Sequence, residues 1–570
     1  MKTFFRTFLV ALFVAVIALF SFAQQWPTTG GNNMKNGQSR ITGPVSYEPA
    51  WTVTSSFNSV FGNSVFVCGD RFVTSRTMFA PVYNGVIECR RVSDGSLLWQ
   101  FQPESTAIMY AVGFDEHAVY AHDYNSGAFY AIDPLTANVK WTFPYLYLFG
   151  GNTGVVFSCE GDPMYTNYRF DRANGEPVWQ NNYILPVTPN AGFAFSGSTF
   201  YHYTGSIVTP KTIIAIDAKT GEIKYQTIEL PGDGDQEEPI TMGPGNRIYM
   251  KRDGANFWAF KDDGTELKHV FNTSNAFNWY VAIDHDSTIV GCFNNKIHRM
   301  DDETGEILAS SPFDLVTTRP LISIDALGKI YVNIAQAGPG KIYCISPDLQ
   351  TILWETPAPY GYYCDPNLTK DGLMILTRSG NQITGVRSEA QVSTLPPVAD
   401  FYTWTRDINL NGSVNFFDHS SYLPTSWEWT FEGGTPQIST EQNPTGIQYT
   451  FPGSYQVTLK VTNQFGEDIA AKSCYINVDE TVAVKEIARE DGFVIYPNPF
   501  TDQFILTLTE NYQMNFLVSI QDAMGKVVFE TKVSTWNEIP VNLSGYKPGL
   551  YFVRVAAGGK VFTQKTVKIE

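Results

Sequence analysis

Residues Thr212–Tyr225, TIIAIDAKTGEIKY, form the unit that most restricts how this chain can fold. Apolar residues alternate through its first half, Asp217 and Gly221 follow, and a second short run ends in the aromatic Tyr225. The pattern predicts strand, tight turn, strand. Asp217 can accept a bond from its own backbone two residues on, and Gly221 supplies the positive φ that the reversal needs. The unit recurs. Its Asp column holds Asp133, Asp171, Asp217 and Asp301, its Gly column Gly95, Gly175, Gly221 and Gly305, and its aromatic column Trp99, Trp141, Trp179, Tyr225 and Trp354.

Some copies have decayed. Arg91 and Ser346 stand in the Asp column, and Ala137 and Gln350 in the Gly column. The copy at Phe257–Leu267 shortens its turn to Asp263-Gly264, a two-residue hairpin signal. A last weak copy lies at Gln382–Arg387. Each copy follows another hairpin, such as Asn246–Met250 (NRIYM), Gly328–Val332 (GKIYV) or Gly372–Leu376 (GLMIL). Four strands recurring every roughly 40–45 residues describe a β-propeller blade. About eight blades fit between Trp51 and Arg387. The last copy has no outer strand after Arg387, and Ala50–Ser55 (AWTVTS) has the composition to supply it and to remove the free radial edge.

These columns resemble the pyrroloquinoline-quinone-like (PQQ-like) repeat family, whose apolar strand, Asp-x-x-Thr-Gly and Trp match best at Asp217–Gly221 and Asp301–Gly305. The resemblance implies that the aromatic column docks between blades, a packing role worth about 3–5 kcal/mol per Trp against Ala. It also raises a quinone-dependent dehydrogenase. The chain has no adjacent Cys pair and no C-x-x-C-H haem motif, so a PQQ cofactor is not expected.

The chain has 39 basic and 56 acidic residues, a formal net charge of −17, which argues against nucleic acid as a partner. Residues 1–23 read as a secretory signal: Lys2 and Arg6, an apolar Phe8–Phe20 too short for a confident span, then Ser21-Phe22-Ala23. No Cys follows to take a lipid anchor, and no later stretch has the length of a transmembrane helix. The seven cysteines are an odd number, so one thiol at least is unpaired. Cys68–Cys89 and Cys344–Cys364 are the pairs that neighbouring strands could bridge, against a plainer reading as small buried residues.

After Arg387 the repeat stops, and Ser388–Pro397 has linker composition. Residues 393–478 carry short alternating strands, the natural material of a two-sheet sandwich. Trp427–Gly434 (WEWTFEGG), Asn443-Pro444 and Gly453–Asn463 (GSYQVTLKVTN) resemble a PKD domain, which implies an Ig-like spacer or a weak binder of polymers, with Trp427 and Trp429 divided between surface and core. Residues 479–492 are a charged linker. Residues 493–570 read as a second small sandwich. Tyr496-Pro497-Asn498-Pro499, Gly525-Lys526-Val527 and Pro548-Gly549-Leu550-Tyr551 resemble the C-terminal sorting domain of cargo for the type IX secretion system of Bacteroidetes-type bacteria. That implies a secretion machinery as partner, and a destination at the outer-membrane surface or outside the cell. The expected organisation is therefore all-β: signal peptide 1–23, about eight-bladed propeller 24–392, and two small sandwiches.

Motifs for chemistry are sparse. Asp233, Asp235, Glu237 and Glu238 lie in a Gly/Pro-rich loop of the kind that can hold calcium, but without EF-hand spacing, and a solvated acidic loop is the plainer reading. The seven histidines are scattered, with no HExxH, and there is no G-x-S-x-G elbow or GxxxxGK cradle. The columns account structurally for the recognisable residues, so the expectation is a non-catalytic surface protein binding protein or glycan. The alternative is a glycosidase- or lyase-like enzyme with its site at the mouth of the ring.

Overall fold

The computed structural model describes residues 31–569 except 33, 56–58, 79–83, 104–107, 145–153, 159–160, 166, 182–192, 197, 205–211, 231–239, 253–255, 276, 279, 316–319, 337, 358–365, 379–380, 388–394, 480–492, 497, 499, 509–515, 524, 534–538 and 558–559. Residues up to Glu480 form one compact unit and Thr481–Glu570 a second. The described residues are strands and turns, with one 3-10 turn at Pro244–Asn246, and none of their helices is long and apolar enough to cross a membrane. The 1–23 segment, Cys159, Cys364 and the acidic loop at 233–238 lie outside the described residues.

Eight four-stranded antiparallel sheets make up most of the first unit. Blades 1 to 7 span residues 59–101, 109–143, 156–180, 193–226, 241–273, 282–310 and 321–355. Blade 8 takes three strands from residues 367–386, and its fourth from Pro49–Thr54, which pairs with Gln382–Val386. Blade 8 thus closes on the N-terminal strand. In seven blades the chain enters at the first strand, and first strands of neighbouring blades lie side by side, blade 8 against blade 1. The inner three strands, such as Met109–Phe114, Val119–Asp123 and Thr212–Asp217, are almost wholly buried, while fourth strands are half open, some alternating as in Ile223–Gln226. A strand with both faces covered needs apolar residues on both, so Thr212–Asp217 is buried up to its last residue and does not alternate as expected from the sequence, and period-two alternation survives on outer strands such as Ile223–Gln226.

The turn of each repeat is built by its own residues. Asp217 Oδ1 accepts from the amides of Lys219 and Thr220, both at 2.9 Å, and Gly221 has φ +76°. Asp133, Asp171 and Asp301 accept in the same way from residues two and three positions on. The hydroxyl and amide of Thr304 hold the Asp301 carboxyl below its usual range. Blade 7 departs from the column. Its positive φ falls on Leu349 (+65°), whose amide bonds to Ser346 O, and not on Gln350. The turn there closes one residue earlier.

A Cys68–Cys89 bridge is absent: Cys89 is a free, buried thiol, as are Cys292 and Cys344, and Cys68 is buried. In the register Cys89 faces Val73 and Cys68 faces Arg71, so the two side chains are not cross-strand neighbours. Burial pushes the Cys89, Cys292 and Cys344 thiols up to about 12, which leaves them unreactive as thiolates.

The PKD-like segment packs a five-stranded sheet against smaller ones around Phe401, Phe416, Trp429, Phe431, Tyr449 and Tyr475. Trp429 is buried and donates to Glu441 O at 2.9 Å, whereas Trp427 is half-buried. In the second unit, a three-stranded and a four-stranded sheet enclose Phe500, Phe504, Val518, Val541 and Tyr551.

Candidate functional site

The aromatic column does its work between blades. Trp99, Trp141 and Trp179 donate from Nε1 to the carbonyls of Pro134, Arg172 and Ala218, at 2.8, 2.8 and 2.9 Å. Each acceptor is the residue after the Asp-column residue of the next blade. Each Gly of the column also lies under an aromatic of the preceding blade. A Cβ on Gly175 would meet Trp141 at 2.5 Å, and one on Gly221 would meet Trp179 at 2.6 Å. Gly305 lies in the same way under Phe271, and Gly95 (φ +70°) under Trp51. Gly therefore answers two demands at once, a left-handed backbone and a ring pressed onto it. Tyr225 reaches Asp262 of the next blade through its hydroxyl at 2.5 Å. Trp354 donates to Pro44 O at 3.0 Å. These residues form the seams of the ring.

The middle of the ring holds the chain's own N-terminal segment. The amides of Met242, Ile283 and Ile324, on the first strands of blades 5, 6 and 7, donate to the carbonyls of Met34, Asn36 and Gly37 at 2.9, 2.9 and 2.8 Å. Lys35 is 1% exposed, and its ammonium reaches Gly154 O, just ahead of the first strand of blade 3, at 2.9 Å. In a ring of eight, blade 3 stands opposite blade 7, so the Lys35 side chain bridges from a backbone held on blades 5 to 7 to the far side of the ring. Gly37 (φ +65°) is wedged there, and a Cβ would come within 2.2 Å of Ile322 O. The segment then runs outward past blade 7, where Gly43 meets Asp325 and Lys329, and Pro44 O accepts from Tyr331 at 3.0 Å. No periodic signal marks these residues, and their burial was not legible in the sequence.

The PKD-like segment is docked on the ring and does not hang from it as a spacer. Trp404 stacks on Phe114 with 6.4 Å between centroids, and Arg71 lies over its ring at 5.4 Å. Arg172 pairs with Asp407, and His117 donates to Arg172 O at 2.6 Å while placing Nδ1 3.5 Å from Asp407. The guanidinium and imidazole, outweighing burial, hold the Asp407 carboxyl well below its usual range. Lys472 sits 3.2 Å from Asp400 and 3.6 Å from Glu116, and Tyr475 donates to Glu116 at 3.3 Å. Besides Phe114 on a first strand and Arg172 in the Asp-column turn of blade 3, the contacts on the propeller come from hairpins after the first strands, residues 69–71, 115–117 and 370–372, which look like ordinary polar turns in the sequence.

Where the N-terminal segment, blade 8 and the PKD-like segment meet there is a cleft of 330 Å³. Lys370 and Asp371 line it from the propeller, and Asp418, Tyr422, Trp427 and Gln442 from the sandwich. Asp418 is held by Ser420 N on Oδ1 and Gln442 Nε2 on Oδ2, both at 3.0 Å. Tyr422 (φ +59°) and Leu423 (φ +50°) are both left-handed, a costly backbone for bulky residues. It is held by Asn463 Nδ2 on Tyr422 O at 2.8 Å, and by Thr42 N donating to the Tyr422 hydroxyl at 2.8 Å. Among the described residues no group of three or more His, Cys, Asp or Glu side chains is arranged to hold a metal ion.

Residues 394–478 match the PKD domain family, and residues 494–570 match the secretion system C-terminal sorting domain family. Over 243 residues the chain is 25% identical to Karilysin of Tannerella forsythia, covering 34% of this chain and 48% of that protein. It thus spans about half the length of the curated relative it matches. Similar solved structures include BamB of Moraxella catarrhalis (14% identity, 60% of this chain and 98% of that one, TM-score 0.41). The quinohemoprotein alcohol dehydrogenase of Comamonas testosteroni is similar at 14% identity, over 85% of this chain and 84% of that one, with TM-score 0.38. With a PKD domain and a secretion-system C-terminal sorting domain following its eight-bladed propeller, the chain is built as an exported protein, bound for the outer-membrane surface or the outside of the cell.

Proposed function

We propose that this protein is a non-catalytic recognition protein, in which the propeller and PKD domain act as one rigid platform for a glycan or protein ligand outside the cell. The observation that carries this reading is the filled axis. Residues 34–37 bond to blades 5, 6 and 7, and the Lys35 side chain spans to the far side, so this segment stands where a site at the centre of the ring would have to open. The docked PKD domain adds to it, because a spacer gains nothing from a buried ionic network with its neighbour, whereas a composite binding surface needs a fixed geometry. The seam residues Trp99, Trp141, Trp179, Tyr225 and Trp354 are engaged between blades and are not offered to a ligand. Neither calcium nor PQQ is part of this reading.

The test is a screen of the mature protein against polysaccharides and matrix proteins, reading binding and product release together. Binding without turnover is expected. Release of reducing ends or unsaturated products from any polysaccharide would replace this reading with the enzyme.

A further inference from the structure

The geometry points to the junction cleft as a binding site for a neutral saccharide, with Trp427 as the platform for one sugar ring. This inference rests on the recognition reading and names its ligand class. A pyranose ring has an apolar C–H face and a rim of hydroxyls that both donate and accept. The cleft matches both parts. The half-buried Trp427 indole supplies a flat apolar wall. Around it stand two carboxylates, an ammonium and a carboxamide: Asp371, Asp418, Lys370 and Gln442.

The polar groups are already positioned. Asp418 is fixed through both oxygens by Ser420 N and Gln442 Nε2, each at 3.0 Å, and a carboxylate oxygen so held retains lone pairs for hydroxyl donors. A site ordered before binding loses less entropy when occupied. The Tyr422-Leu423 loop carries two consecutive left-handed residues at the cleft wall, braced by Asn463 and by Thr42. Strain of this kind gathers at sites that must hold a shape.

Charge and size narrow the ligand. Two carboxylates against one lysine repel phosphates and uronates, so the ligand is uncharged. A volume of 330 Å³ is at the small end of ligand sites and accepts roughly one sugar ring and part of the next, a chain end or a branch. The cleft exists only while the propeller and the PKD domain are docked, so neither module alone would present it.

The experiment titrates the full mature chain with neutral oligosaccharides of the gluco, manno, galacto and N-acetylglucosamino types, by calorimetry, beside a parallel panel of matrix proteins. One sugar type is expected to bind. Asp371→Ala, on an exposed propeller hairpin, and Trp427→Ala, on the sandwich, should each weaken it by about tenfold or more. Trp427→Phe keeps an aromatic wall and should retain most of the binding, which separates a lost platform from a misfolded domain. Sugar binding that both Asp371→Ala and Trp427→Phe leave unchanged, with Trp427→Ala also silent, would overturn the inference and spare the recognition reading. So would binding confined to a matrix protein. Failure of both panels would overturn inference and reading together.

Discussion

Trp51 donates from Nε1 to the carbonyl of Val92 at 3.0 Å, and its ring lies 2.7 Å from where a Cβ of Gly95 would stand. The outer strand of the last blade therefore grips the first blade through the same contact that Trp141 and Trp179 make within the ring. Trp51→Ala should cost about 3–5 kcal/mol. The denaturant midpoint of the first unit should fall accordingly, whereas Leu353→Ala, on an exposed outer-strand position, should move it by less than ~0.5 kcal/mol. Equal effects of the two variants would show that the ring is not closed at this seam.

The blades were legible because each depends on short-range chemistry. Asp217 caps its own turn, Gly221 must be left-handed, and Tyr225 ends the hairpin, all within fourteen residues of one another. Strand composition likewise let Ala50–Ser55 be assigned to the open blade, and Trp51 then falls into the aromatic column by geometry. What stayed hidden is long-range. Lys35 reads as a solvent-exposed lysine until Gly154, just ahead of blade 3, supplies its carbonyl. The hairpin Asp115-Glu116-His117 reads as a solvated turn until Arg406, Lys472 and Tyr475 cover it. The cleft is contributed by segments more than 300 residues apart in sequence, and no local pattern encodes such a meeting.

Gly37→Ala tests the filled axis. Its Cβ would lie 2.2 Å from Ile322 O on a backbone at φ +65°, so the segment must shift or the blades must part. A loss of about 2–3 kcal/mol is expected. Hydrogen exchange should accelerate at the amides of Met242, Ile283 and Ile324, which bond to this segment. Unchanged exchange at all three would mean that the segment does not hold the first strands.

Acidity should act on the docked PKD domain through Asp400. Burial pushes its carboxyl up to about 7, with Lys472 pulling it partway back, and Oδ2 has no hydrogen-bond partner among the described residues. A carboxyl raised on folding keeps a proton that the unfolded chain has already released. Its contribution to stability is therefore full below the unfolded value of 3.8 and lost as pH rises to about 7. His419, buried and held well below its usual value, works in the opposite sense, losing stability as pH falls below 6.5. Asp400→Asn separates the two. Relative to wild type, the melting temperature of the variant should rise between pH 5 and pH 8, and a constant difference across that window would refute the assignment.

Arg172 and Asp407 tie blade 3 to the PKD domain, with Arg172 the more buried partner. Arg172→Ala leaves Asp407 with His117 and Asn477 as its hydrogen-bonding partners among the described residues, and should weaken the docking by about 2 kcal/mol, less than a fully buried pair because Asp407 is partly open to water. Limited proteolysis should then separate the PKD domain from the propeller several-fold faster while the propeller's own melting transition stays in place. If cleavage is unaffected, Trp404 and its contacts to Phe114 and Arg71 carry the docking without this pair.

In the second unit, Asn498 joins the start of the sorting domain to its end. Its Oδ1 accepts from Thr566 Oγ1 at 3.0 Å and from Val567 N at 3.1 Å, and the neighbouring Phe500 packs on Phe504 and Tyr551. Asn498→Ala leaves the amide of Val567 and the hydroxyl of Thr566 without this acceptor, a loss of about 1–2 kcal/mol in a module of this size. Export through a type IX system should decline in the variant and stop when residues 493–570 are removed, read as the fraction of protein at the cell surface and in the medium. A full-length Asn498→Ala protein exported like wild type would place recognition elsewhere in the tail. Export of the truncated chain would remove the sorting domain from the route altogether, and with it the reason to look for a ligand outside the cell.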